Sequence, residues 1–112
     1  MYGKYTLNPV GKTEFHWDLK ARDAQTMLSS QVHSAKSGAE SSIQECRVNC
    51  VDDARYERRA AADSKSYFIL TTVNGEVIGT SQMYSSDALR DKAIASCKES
   101  GPVATMNYGA IR

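Results

Sequence analysis

The sequence predicts an α+β domain: one antiparallel sheet with two helices on one face, built as a tandem repeat of β-β-β-α units. Two observations carry this. Sliding the 112-residue chain on itself by 51 positions, without a gap, places Tyr5 on Tyr56, Leu19 on Leu70, Ser30 on Ser81, Gln31 on Gln82, Ser34 on Ser85, Ile43 on Ile94 and Cys46 on Cys97. Within each copy, a period-two alternation then gives way to helical spacing. The expected organisation is a single domain over 1–112 with a pseudo-two-fold axis, the first repeat over about 1–53 and the second over about 54–112.

Each unit opens on a strand, Lys4–Asn8 in the first and Ala54–Arg59 in the second, with Tyr5 and Tyr56 at equivalent places. In the next strand Phe15, Trp17 and Leu19 alternate with His16, Asp18 and Lys20, so one face is apolar and the other polar. Ser66, Phe68 and Leu70 keep that register in the second copy. Asn74-Gly75 then predicts a type I′ hairpin, whose two central residues both need positive φ. The first copy has Asp23-Ala24 there, and Ala tolerates positive φ poorly. The two hairpins are therefore expected to differ.

A helix follows each hairpin. Ser34 and Ser85 are expected as N-caps, Asp87 and Lys98 suit the two ends of the second helix dipole, and Gly101-Pro102 stops it. Ala39, Ser42, Ile43, Cys46 and Cys50 fall on one face of the first helix, opposite a sheet. Val103–Tyr108 repeats the opening strand as a last one.

The Tyr67-Phe68-Ile69-Leu70 strand, the Asn74-Gly75 turn, the run Val77–Ser86, Ile94-Ala95-Ser96 and the Gly101-Pro102 stop resemble the YegP-like family of small bacterial proteins. The resemblance spans nearly the whole chain and is looser in the first copy, where His33 stands for the family's Tyr and Ala24 for its Gly. It implies a tandem form of a unit that also occurs singly as a dimer, with C-terminal strands exchanged between units. It carries no biochemical activity.

Composition narrows the function classes. With 41% hydrophobic residues, a mean hydropathy of −0.48 and no long apolar run, the chain reads as soluble, with no membrane partner. Fourteen basic against 13 acidic residues leave no field for nucleic acid. Three cysteines and no export signal suggest a cytoplasmic protein with reduced thiols. No ligand cluster of metal-site spacing is present, so neither metal nor other cofactor is expected.

Several residues are candidates. If helices cover the Trp17–Leu70 face, then His16, Asp18, Tyr67 and Ile69 lie on an open sheet face fit for a protein or small-molecule partner. Cross-strand pairing among ordinary strand residues is the plainer reading of them. Gln31 with Gln82, and His33 with Tyr84, are duplicated positions that would meet one ligand at the axis. Cys50, at a helix end, is the expected exposed thiol and the candidate reactive one. Arg55 and Arg59 would share a strand face, with Glu57 between them.

A non-enzymatic binding or interaction module is the first expectation for function. A thiol-dependent redox or enzymatic protein, with its site near His33 and Cys50, is the second. A weak binder of small anionic ligands at the arginines is the third. No catalytic set is nominated, and a monomer or weak homodimer is expected.

Overall fold

In the computed structural model, residues 3–23 and 25–108 are described. The chain runs β1 (Lys4–Val10), β2 (Glu14–Lys20), β3 (Thr26–Ser30), α1 (Lys36–Asn49), a 3-10 turn (Asp53–Arg55), β4 (Tyr56–Ala60), β5 (Ser66–Thr71), β6 (Val77–Ser81), α2 (Asp87–Ser100) and β7 (Thr105–Tyr108). The strands form one sheet in the order β4-β5-β6-β3-β2-β1-β7. All neighbours are antiparallel except β1 and β7. The strands that follow the helices are exchanged: β4 joins beside β5, and β7 beside β1.

The 51-residue shift is reproduced in the registers. Tyr5 pairs with Leu19 as Tyr56 does with Leu70, and Asp18 with Ser29 as Ile69 does with Thr80. Both hairpins carry an irregularity at the same place, Leu19/Lys20 and Leu70/Thr71. Where the halves meet, β3 and β6 pair Leu28 with Ser81, Ser29 with Thr80 and Ser30 with Gly79. That register is symmetric about the Ser29–Thr80 pair, so a pseudo-two-fold axis passes there. A Cβ on Gly79 would lie 2.8 Å from the Ser29 carbonyl oxygen, so only glycine lets these central strands close.

The helices cover the face that carries Trp17, Leu19, Phe68 and Leu70, with α1 packed on β2 and α2 on β5. Tyr5 stands edge-on to Trp17 and Tyr56 to Phe68, each at 5.5 Å between centroids. Each such pair is worth about 1 kcal/mol beyond the area it buries. One difference between the copies is compensated within the molecule. The Trp17 indole N–H donates to Ser42 Oγ at 3.1 Å, and at the equivalent places stand Phe68, whose ring has no N–H, and Ala93, both buried in the core.

Several local expectations are corrected. The caps sit one residue later. Ser86 caps α2 by accepting from Leu89 N at 3.2 Å, and the matching residue of α1 is Ala35, which has the extended cap backbone but no side chain to accept with. At the second hairpin Gly75 N donates to Thr72 O and Thr72 N to Glu76 O, while only Gly75 has positive φ. The turn centres on Val73-Asn74, with Gly75 as the following left-handed residue, and is not type I′. Ala21 N donates to Gln25 O in the same way, but Ala24 of the first turn lies outside the described residues. Arg55 belongs to the 3-10 turn and not to a strand face, because Asp52 caps that turn by accepting from Ala54 N at 3.0 Å.

Candidate functional site

Alternation along β2 and β5 puts His16, Asp18, Tyr67 and Ile69 on the face away from the helices, where no described element covers them. Pairing carries one row of residues across that face: Asn107, Thr6, Asp18, Ser29, Thr80, Ile69 and Glu57. Asp18 is the polar centre of the first half. Ser29 Oγ donates to its Oδ1 at 2.6 Å, Asn8 Nδ2 to its Oδ2 at 3.3 Å, and His16 Nδ1 lies 3.8 Å away. In this arrangement the serine hydroxyl is held by the carboxylate and not by the imidazole. It is an anchoring network, since a nucleophilic serine needs its proton on a base.

The structure thus joins His16 to Asp18 and adds Asn8 and Ser29, which strand alternation alone had not singled out. Their signal was register: Asn8 faces His16 across β1–β2, and Ser29 faces Asp18 across β2–β3. Tyr67 and Ile69 form a separate half, three strand spacings or about 14 Å from Asp18. The open face carries two subsites, one polar and one aromatic-apolar, about the Ser29–Thr80 pair.

Gln31 and Gln82 do not converge. Continuing the β3–β6 register sets Gln82 opposite Met27, four residues from Gln31, which separates them by about 13 Å along the strands. Antiparallel pairing about the axis sends the two strand ends in opposite directions, so His33 and Tyr84 lie further apart still. His33 instead pairs its backbone with Phe15, and Tyr84 pairs with Ser66. The His33 ring lies beside Gly38, and among the described residues its buried Nε2 has no hydrogen-bond partner.

Cys50 is not exposed: its accessible surface is 0%, and Cys46 and Cys97 are buried with it. The reason is symmetry. Cys50 and Gly101 are equivalent positions, and they meet where the C-terminal ends of the two helices come together. A Cβ on Gly101 would stand 2.3 Å from Cys50 Sγ, so only one of the pair carries a side chain. Around them, Tyr5 Oη donates to Gly101 O at 2.7 Å and Tyr56 Oη to Cys50 O at 2.6 Å. Burial pushes both phenols and the Cys97 thiol up, and the hydrogen bond with Cys50, together with burial, pushes Cys46 up. The same hydrogen bond lowers Cys50, which stays buried in the closed fold. Among the described residues no group of His, Cys, Asp or Glu is placed to hold a metal ion.

The arginines are occupied. Arg55 pairs with Asp52, Arg59 with Glu57, and Arg58 with Asp53 and Asp91. Asp53 also takes Lys98 at 2.6 Å, and the bonds from Arg58 and then Lys98 hold its carboxyl down at about 2. These charges tie α2 to β4 and blunt the exposed edge of β4. No helix among the described residues is long and apolar enough to cross a membrane.

The comparisons with known proteins agree with this architecture. The profile of a family described as a domain of unknown function, DUF1508, matches residues 12–57 and 61–107. Each segment runs from the middle strand of a unit through its helix to the exchanged strand, β4 or β7. A UPF0339 protein of Acinetobacter baylyi is 42% identical over 106 residues, covering 95% of this chain and 96% of the relative. The UPF0339 protein YegP of Escherichia coli K12 is 36% identical over the same shares. The solution NMR structure of E. coli YegP, a protein of unknown function, superimposes with a TM-score of 0.91 at 34% identity, over 100% of this chain and 97% of that one. That of a UPF0339 protein from Shewanella oneidensis gives 0.90 at 39% identity, over 96% and 92%. With two matched repeats, this identity and this superposition, the chain belongs to the DUF1508 family of UPF0339, YegP-like proteins.

Proposed function

We propose that the protein is a non-enzymatic interaction module of the cytoplasm that binds a protein partner on its open sheet face. The observation that supports this reading is the uncovered row from Thr6 to Glu57, with half-buried Tyr67 and Ile69 at one end and the Asp18 network at the other. A flat partner surface suits it, with an apolar side chain over Tyr67 and Ile69 and a donor toward Asp18. Core-like packing flanked by satisfied polar groups is the usual anatomy of such contacts. The buried thiols and the paired arginines favour neither the redox reading nor the anion-binding one.

The test compares partners recovered by the wild type, by Tyr67→Glu/Ile69→Glu, and by a control altered on the helix side, Val48→Glu. Circular dichroism and melting first establish that all three are folded. A partner retained by wild type and control but lost by the open-face variant, and protecting Tyr67 and Ile69 amides from hydrogen exchange, supports the reading. Equal recovery by all three overturns it.

A further inference from the structure

On the helix side a groove of about 460 Å³ lies between α2, the β2–β3 hairpin and the corner after β6. It is independent of the open face. Met27, Met83, Tyr84, Leu89 and Lys92 line it, with Asp23 at the hairpin end. Met83 and Leu89 are 49% and 46% exposed there.

The internal duplication supplies a control for that exposure. Several positions that build the core recur 51 residues apart, as Tyr5 and Tyr56, Leu19 and Leu70, Ile43 and Ile94, and Cys46 and Cys97 do, while others, such as Trp17 with Phe68, change. The groove positions recur only in part: Gln82 matches Gln31, and Met83 answers to Val32, itself an exposed apolar residue. Leu89 and Lys92 answer to Gly38 and Ser41, and Tyr84 to His33. The same fold therefore forms around Gly and Ser at these places in the first copy. Leu89 and Lys92 are free to serve something else in the second.

The chemistry of the lining names the class of ligand. Two thioethers and a tyrosine ring favour an aromatic body, since sulfur sits well at ring edges and phenol rings stack or meet edge-on. Among the described residues Lys92 has no carboxylate within 4 Å, whereas Lys98 on the same helix has Asp53. An ammonium on the wall of a groove of mixed polarity suits an anion, by a charge-assisted hydrogen bond. Asp23 already spends one oxygen on the Gln25 N–H at 3.1 Å, so the ligand's charge belongs at Lys92 and its uncharged body toward the hairpin. The volume is within the range of small-molecule sites. From these observations we infer that the groove between α2 and the β2–β3 hairpin binds a small aromatic carboxylate, its ring on Met27, Met83 and Leu89 and its carboxylate on Lys92.

The probe is 2-naphthoate, with neutral 2-naphthamide beside it, titrated into the ¹⁵N-labelled full chain. Saturable shifts are expected at Met27, Met83, Leu89 and Lys92. Lys92→Ser, which copies Ser41 of the first repeat, weakens naphthoate about tenfold and leaves naphthamide unchanged, the loss of one charge-assisted hydrogen bond. Leu89→Ala weakens both ligands. No saturable shift at millimolar naphthoate, shifts confined to the open face, or equal affinity of wild type and a folded Lys92→Ser would each overturn the inference. Since none of these residues lies on the open face, failure here leaves the partner reading of that face standing, and the reverse.

Discussion

The pairing of Trp17 with Ser42 makes a quantitative test, because the second copy shows what the same site needs without it. Both residues are buried, and the indole N–H donates to Ser42 Oγ at 3.1 Å. Ser42→Ala strands that donor in the core. The desolvation penalty is about 1–3 kcal/mol, offset by about 0.5 kcal/mol of better helix propensity, for a net loss of about 1–2 kcal/mol. Trp17→Phe removes part of a buried ring and leaves the Ser42 hydroxyl without its donor, at about 2–3 kcal/mol. The double variant recreates the combination of Phe68 and Ala93, so no polar group is left unpaired. Its loss should fall short of the sum of the singles by about 1 kcal/mol, a coupling typical of residues in contact. Urea unfolding followed by far-UV circular dichroism measures all four proteins, and Ala93→Ser, which adds an unpaired hydroxyl to the core of the second copy, serves as a mirror control. Strict additivity would refute the reasoning, since the indole would then be indifferent to Ser42.

Three further outcomes are expected. Ala35→Ser should add about 1 kcal/mol, seen as a higher melting temperature, because Ala35 already has the cap backbone and Ser86 shows the bond it lacks. With a thiol reagent such as dithiobis-nitrobenzoate, no cysteine of the native protein should react quickly and all three should react in denaturant; a fast native thiol would mean that the helix ends open at Cys50. Asp53 is held down at about 2 by Arg58 and Lys98, so its contribution is fully present above about pH 4 and is lost as pH falls through about 2. Asp53→Asn should flatten the decline in melting temperature across that window, and an unchanged decline would remove Asp53 from the explanation.

The duplication, the element order and the inward faces were legible in the sequence because each is periodic. A constant offset, a period of two and a helical spacing survive without knowledge of what packs where. The open-face position of His16, Asp18, Tyr67 and Ile69 followed from the same alternation. Caps were legible only to within a residue, since Ser85 and Ser86 are adjacent serines and either hydroxyl can accept. The turn at Asn74-Gly75 was misread because its class depends on how Thr72 and Glu76 close the loop.

What the tertiary structure decided are the relations between residues far apart in the chain. Whether Cys50 is exposed depends on where the other helix ends, and Gly101 is brought onto it only by the two-fold packing. Whether Gln31 and Gln82 converge depends on the direction of β6 beside β3, which alternation does not carry. The Asp18 network needs the registers of three strands at once, and the groove at Lys92 joins a hairpin to a helix some seventy residues later. Local periodicity is a property of covalent order and near-neighbour sterics. Juxtaposition across a symmetry axis is a property of packing, and only the folded chain carries it.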